Sequence, residues 1–355
     1  MSSFDTPFRI VMGPIRNAQL IYKEIPTGYP EPGKTFTYDT NRTIDLNTVP
    51  LNGGVLVKVL YLSVDPYMRD LMRDPSIASY APAYTIGKPV SCYGIGKVIR
   101  SENQTFNAGD YVHAPSLEYA EYSIQEVTPY MEKFEPLPGL PLSVYVGALG
   151  MPGRTAYFAW NEYSKAKEGE TLFISGAGGS VGTFVIQLAK LDGLKVIASA
   201  GTAEKVALAK SVGADIAFNY KNVDINEVLQ TEGPVDVYWD NVGGPTLDAA
   251  LGNANYHARF IECGMISGYN NSDGIHLRNI WEVVSRSISI NGFLHINLAP
   301  KWRKEFDEVV PKKLLCGDIK WKEDLIEGLE SSGEAILEVQ TGKNYGKKVI
   351  HVAES

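Results

Sequence analysis

The stretch Phe173–Lys190, FISGAGGSVGTFVIQLAK, decides the fold. An apolar strand, TLFIS, runs into a glycine-rich turn and then into a run with helical spacing, SVGTFVIQLAKLDG. Gly176, Gly179 and Gly182 stand three residues apart. Glycines at such a junction let the backbone turn tightly, approach a pyrophosphate and bring helix and strand close. The helix start offers unpaired N–H groups and a positive dipole end to an anion. A glycine triplet alone can be a mere packing turn. Here strand, glycines, helix and second strand follow in the order a dinucleotide fold requires.

Outward from this centre the alternation continues. A strand KVIASAG, a helix TAEKVALAKSVGA, a short strand DIAFNY and two further strands, VDVYWDNV and RFIECGMIS, follow. Strands alternating with helices of about 10–15 residues indicate βαβ units and a parallel sheet. Upstream, the texture changes near Gly147, where GMPGRTAYFAWNEYSKAKEGE reads as a Pro-Gly turn followed by a helix. Residues 1 to about 135 read instead as short strands broken by Gly, Pro, Asn and Asp, as in a compact barrel or sandwich. Near the end, KWRKEFDEVVPKKLLCGDIKW reads as a helix and then a turn, and KKVIHV as a strand able to rejoin the first region.

Composition bounds the function classes. The chain has 355 residues, 44% apolar and 21% charged, with a formal net charge of −8. That is enough for two cored domains. The acidic balance and the absence of a long basic run argue against a nucleic-acid partner. Cys92, Cys263 and Cys316 form no Cys-x-x-Cys pair and no disulfide framework, which suits a reducing compartment. MSSFDTPFRIVMG has no charged-then-apolar leader, no 18-residue apolar run spans a membrane, and HVAES carries no anchor signal. A cytoplasmic enzyme is expected.

The second strand of the dinucleotide unit selects the coenzyme. An NAD enzyme places Asp or Glu about 20 residues beyond the glycines to bind the ribose hydroxyls. This chain has Ser199, Ala200, Gly201 and Thr202 there. No carboxylate repels a 2′-phosphate, and Lys205 follows on the next helical turn. Glu204 beside it is a contrary sign, but the balance favours NADPH.

Six blocks now align with a known family. LSVDPYMRDLM (Leu62–Met72), LGMPGRTAY (Leu149–Tyr157), YWDNVGG (Tyr238–Gly244), CGMISGYN (Cys263–Asn270), GFLHIN (Gly292–Asn297) and NYGKKVIHV (Asn344–Val352) occur in one order across nearly the whole chain. Together they resemble the leukotriene/prostaglandin reductase and alkenal double-bond reductase branch of the medium-chain dehydrogenase/reductase superfamily. The resemblance implies an α/β fold: a Rossmann doubly wound parallel sheet, residues 141–314, inserted in a GroES-like β-rich catalytic domain, residues 1–140 and 315–355. It implies NADPH contacts at Gly179, Ser180, Val181, Gly182, Lys205, Tyr220, Asn241, Cys263, Gly264, Met265, Ile266, Tyr269, Phe293, Leu294, His295 and Asn344. It also implies a homodimer.

Zinc relatives of this fold need Cys or His at three separated places. Here YLSVDPYMR has neither, Cys92 and Tyr93 replace a His-Glu pair, and Met151 stands where a Cys would precede Thr155. Metal-free chemistry follows, and the substrate must be electrophilic by itself. An α,β-unsaturated aldehyde or ketone meets that need. Hydride reaches the β-carbon, negative charge develops on the carbonyl oxygen, and a donor aimed there lowers the barrier by about 3–4 kcal/mol. Tyr269 is the first donor candidate, the alternative being a structural loop tyrosine. Tyr67 is the second, as a cleft wall or auxiliary donor, or else as part of a stiff interdomain loop. His113, His257, His276, His295 and His351 form no recognisable triad, and Trp281, Trp302 and Trp321 read as core packing, the alternative being an aromatic substrate pocket. Quinone reduction on the same scaffold, and NADPH binding without catalysis, stand as alternatives.

Overall fold

The computed structural model describes residues 13–271 and 273–355. The leaderless reading of the first residues falls on 1–12, outside the described residues. Six parallel strands form one sheet in the order Ile216–Asn219, Lys195–Ala200, Thr171–Ile174, Val235–Asp240, Ala254–Glu262 and Ser289–Gly292. All four residues of Thr171–Ile174 are buried, because parallel sheets are covered on both faces. One face packs Leu172, Ile174, Val196 and Trp239 against the helix Ser180–Leu191 and against Phe306 and Val310. The other packs Phe173, Ile197, Tyr238 and Phe260 against Leu229, Leu247 and Leu251. From Thr171–Ile174 the chain first builds two strands to one side. It then returns to build three on the other, which opens a crevice at the strand tips where the direction reverses.

A second sheet, with a separate core, holds seven strands. Its order is Glu323–Glu327, Lys347–His351, Val55–Ser63, Ser91–Ser101, Tyr111–Glu118 and Glu132–Phe134, with Tyr122–Gln125 also paired to Val55–Ser63. Val55, Val57, Val59, Leu62, Val112, Leu117, Ile336 and Ile350 share its core. Lys347–His351 runs antiparallel to Val55–Ser63, Val349 opposite Ser63 and Ile350 opposite Leu62. The chain's last strand therefore completes the sheet begun by its first third. The architecture is a Rossmann sheet inserted into a β-rich domain.

Three local readings change. The Pro-Gly pair after Met151 makes no turn: Pro152 sits in the first turn of the helix Met151–Ala159, where its missing N–H costs nothing. A β-carbon on Gly153 would stand 1.8 Å from the Ala148 carbonyl oxygen, so glycine serves close packing there. The strand read as RFIECGMIS starts at Ala254 and ends at Glu262, and Ile266–Tyr269 forms a single helical turn instead. The helix read from Lys301 opens at His295 and runs to Leu315, passing Pro300 and Pro311 at the cost of one ladder bond each. The edge strand Ser289–Gly292 gave no sequence signal, being short and mostly exposed.

Candidate active site

A cleft of about 640 Å³ lies between the two sheets, at the crevice of the parallel one. Its floor is the glycine turn. Gly176 adopts φ +61°, and a β-carbon on Gly182 would stand 2.6 Å from the Gly176 carbonyl oxygen. Only hydrogens at these positions allow the helix to start so close to the strand. No side chain caps the helix Ser180–Leu191, and Gly179, Ser180, Val181 and Gly182 all line the cleft. Its unpaired first N–H groups face open space, as a pyrophosphate requires. The glycine cradle and the cleft's volume fit a dinucleotide.

Lys205 closes one end. Thr202 Oγ1 accepts the Lys205 N–H at 3.2 Å and caps the helix Ala203–Ser211. The lysine stem then crosses Gly178, where a β-carbon would lie 2.5 Å from Lys205 Cβ. Nζ donates to the Gly342 carbonyl of the β-rich domain at 2.9 Å. Burial, and then the charge of Lys221, lower its pKa. Tyr220 lies beside the strand tip rather than in the cleft lining, its hydroxyl 3.1 Å from where a Gly201 β-carbon would be. Glu204 is exposed on the same helical turn.

The other end is built by loops after Val235–Asp240 and Ala254–Glu262. Asn241 Nδ2 donates to the Ser175 carbonyl at 2.7 Å, and its Oδ1 accepts from Trp239 Nε1 at 3.2 Å. Cys263, Gly264 and Ile266 line the cleft, and burial raises the Cys263 thiol pKa to about 12. Met265 turns its side chain away, toward Gly243 and the core on the Phe260 face of the parallel sheet, so only its backbone serves the site. Its N–H donates to the Tyr269 hydroxyl at 3.3 Å. A β-carbon on Gly264 would stand 3.0 Å from that hydroxyl, so glycine makes the room. With its oxygen accepting, Tyr269 keeps its own hydrogen for a cleft occupant. Burial, chiefly, raises its pKa, so it is a neutral donor. Phe293, Leu294, His295 and Asn344 also reach the cleft, Asn344 Nδ2 donating to the Gly346 carbonyl at 2.9 Å.

The facing wall belongs to the β-rich sheet. Tyr67 and Tyr93 meet edge to face, ring centres 6.4 Å apart. The sequence offered Asp65 to Arg69 as a stiff interdomain loop, but not Lys347 as the partner of Asp65 nor Tyr93 as part of the wall. Asp65 and Lys347 form a buried ion pair at 2.7 Å on the cleft. Arg69 Nε donates to Asn270 Oδ1 at 2.7 Å, tying the two domains. Tyr93 was noted only as the neighbour of Cys92. At the places where zinc relatives carry ligands, Cys92 is buried and donates to the Ser63 carbonyl, and Met151 Sδ accepts from Thr155 Oγ1 at 3.4 Å. Among the described residues no three His, Cys, Asp or Glu converge to hold a metal.

The family model described as "Zinc-binding dehydrogenase" matches residues 180–312, and that described as "N-terminal domain of oxidoreductase" matches residues 18–132. The fold and cleft are those of a two-domain dehydrogenase/reductase. A 2-alkenal reductase (NADP(+)-dependent) of Nicotiana tabacum is 40% identical over 345 residues, 96% of this chain and 98% of that protein. The (+)-pulegone reductase of Mentha piperita is 37% identical over 308 residues, 85% of this chain and 89% of that protein. The crystal structure of CurA in complex with NADPH from Vibrio vulnificus superposes with a TM-score of 0.83 at 30% identity, over 95% of this chain and 100% of that one. The chain belongs to the medium-chain dehydrogenase/reductase superfamily, in its zinc-free alkenal double-bond reductase branch.

Proposed function

We propose that this oxidoreductase uses NADPH to saturate the carbon–carbon double bond of α,β-unsaturated aldehydes and ketones. The observation that carries the reading is the Tyr269 hydroxyl, which accepts the Met265 N–H and keeps its hydrogen free over the cleft. The activities named for the tobacco and peppermint relatives support it. When bound, NADPH supplies the hydride that reaches the substrate's β-carbon. Gly179, Ser180, Val181 and Gly182 would hold the pyrophosphate, with Lys205 at the 2′-phosphate and Tyr220 beside it. Asn241, the backbone of Cys263–Ile266, Phe293, Leu294, His295 and Asn344 would hold the rest of the coenzyme. Tyr269 donates to the carbonyl oxygen as charge develops there, and Tyr67 walls the substrate from the opposite sheet.

We assign the catalytic domain to residues 1–140 and 315–355 and the coenzyme domain to 141–314, a division that limited proteolysis tests. We also propose a cytoplasmic homodimer. Strand Ser289–Gly292 leaves a free sheet edge, and Ile280, Trp281, Val284 and Ile290 are exposed. Light scattering at a single chain mass would remove the dimer, and cell fractionation checks the compartment. Among the described residues no helix is long and apolar enough to cross a membrane.

The deciding experiment follows NADPH absorbance with trans-2-alkenals, enones and naphthoquinones offered separately. Turnover of enals and enones to saturated products is expected. Consumption with quinones alone would overturn the reading.

A further inference from the structure

Tyr93 sits where the ladder between Ser91–Ser101 and Tyr111–Glu118 slips. Cys92 pairs with Leu117 and Gly94 with Ala114, so Tyr93 has no single partner and its ring leaves the sheet for the cleft. It crosses the interdomain space. Its hydroxyl lies 3.4 Å from Nε2 of His295, the first residue of the helix His295–Leu315 on the coenzyme side. Three rings surround it: Tyr67, His295 and His113, the last tilted against it at 5.6 Å. Among the described residues neither ring nitrogen of His113 has a hydrogen-bond partner. Behind the group stand Arg154, which salt-bridges Glu132 at 2.9 Å, and Arg303, also paired with Glu132. Burial, then the charge of Arg154, pushes His295 down to about 4, so its imidazole is neutral at ordinary pH. Burial, chiefly, raises the Tyr93 phenol against the opposing charge of Arg154, so its O–H is neutral.

We propose that Tyr93, backed by His295, is the acid that protonates the substrate's α-carbon. The inference rests on the double-bond reduction proposed above. That reaction needs two donors. Tyr269, held on the coenzyme side, serves the carbonyl oxygen. A second proton must reach the α-carbon, and the wall opposite the coenzyme offers Tyr67, Tyr80, Tyr84 and Tyr93, of which Tyr84 spends its hydrogen on the Ser91 carbonyl. Only Tyr93 is hydrogen-bonded to a group able to return its proton. Once the β-carbon has taken the hydride, the former double-bond pair resides on the enolate. The Tyr93 O–H bond breaks, a C–H bond forms at the α-carbon, and the carbonyl is restored. The phenolate left behind keeps its hydrogen bond to His295. As solvent protonates His295 Nδ1, the proton on Nε2 moves to the phenolate, so the ring stays neutral throughout, and exchange with solvent then restores its Nε2–H form. One hydride and one proton are consumed per double bond. Tyr93 is thus a catalytic residue, and His295 a positioning and proton-return residue.

The test uses an α-methyl enone in D2O, followed by rate and by the configuration of the deuterated α-carbon. Wild type is expected to label one face. Tyr93→Phe should lose about 10²-fold in kcat with KM little changed, and should label both faces, because solvent then protonates the enolate. A merely structural tyrosine would not alter the face. His295→Val should lose less rate but show a larger solvent isotope effect. In the coenzyme-free protein, the ¹⁵N spectrum of the His295 ring should show its proton on Nε2 and should shift in Tyr93→Phe. Unchanged face selectivity in Tyr93→Phe, or a His295 ring indifferent to that change, overturns the proposal. The His295 spectrum in wild type and the isotope effect in His295→Val decide it even where Tyr93→Phe fails to fold: a proton on Nδ1 or an unchanged isotope effect overturns it. A wild type inert toward all enones would instead defeat the double-bond reading, so the two failures are told apart.

Discussion

Lys205 and Tyr269 hold the two ends of the cleft, and each does so through a backbone donor or cap close by in sequence. Replacing Lys205 by Ala removes the ammonium that would meet the 2′-phosphate. A charge-assisted hydrogen bond contributes about 1.5–3 kcal/mol, so the NADPH Kd should rise roughly 10- to 150-fold. NADH binding should not move, and fluorescence titration with both coenzymes checks the pair. Tyr269→Phe keeps the ring and removes the donor. A loss of about 3 kcal/mol of transition-state stabilisation, roughly 10²-fold in kcat, is expected in steady-state assays with an enone. Full retention of rate would take Tyr269 out of the chemistry. Both residues were legible in the sequence, since each lies within a few positions of a glycine-bearing loop. Tyr93 was not, because its partner His295 is 202 residues away and no local pattern announces the contact.

Elements carry what single residues cannot. The parallel strands Val235–Asp240 and Ala254–Glu262 align Asp240 with Glu262 at their tips, directly beneath Asn241 and Cys263. Asp240 Oδ1 accepts from Ser175 Oγ, from the Tyr238 hydroxyl and from the N–H groups of Val242 and Gly243. Among the described residues its Oδ2 and both Glu262 oxygens are buried with no separate donor. Burial beside a second carboxylate disfavours the ionised form of Glu262. Burial, then the charge of Asp240, raises the Glu262 carboxyl to about 9. The unfolded chain releases this proton near the ordinary glutamate value of about 4.3. The folded protein therefore binds one more proton between these two pH values. The associated stability is complete below the lower value and is lost as pH rises toward the upper one. The slope for one proton is at most about 1.4 kcal/mol per pH unit. Glu262→Gln should flatten the fall in thermal midpoint between pH 6 and about 9 relative to wild type. Parallel curves would refute the raised Glu262 carboxyl. The strands themselves were readable as apolar runs, but their register was not, and the register alone brings the two acids together.

At the scale of the molecule, two sheets are held apart by a cleft and joined by a few polar ties. Lys205 to Gly342, Arg69 to Asn270 and Arg303 to Glu132 cross between them. The inserted α/β unit was legible because its βαβ logic is local, whereas the β-rich sheet closes only when Lys347–His351 returns to Val55–Ser63. The Asp65–Lys347 pair sits at that closure. Lys347 Nζ donates to Asp65 Oδ1 at 2.7 Å and to the Val64 carbonyl at 2.9 Å, and Asp65 also accepts from Ser63 Oγ. Each side chain is only 4% exposed, so neither charge has water to fall back on. Removing one partner of a buried pair costs about 3–5 kcal/mol, because the other charge is left uncompensated. Lys347→Met should therefore lower stability by about that amount in urea unfolding and loosen the loop that carries Tyr67. Adding Asp65→Asn removes the orphaned charge and should recover a large part of the loss. If the double variant is as unstable as Lys347→Met alone, the cost lies in packing of the last strand and not in the ion pair.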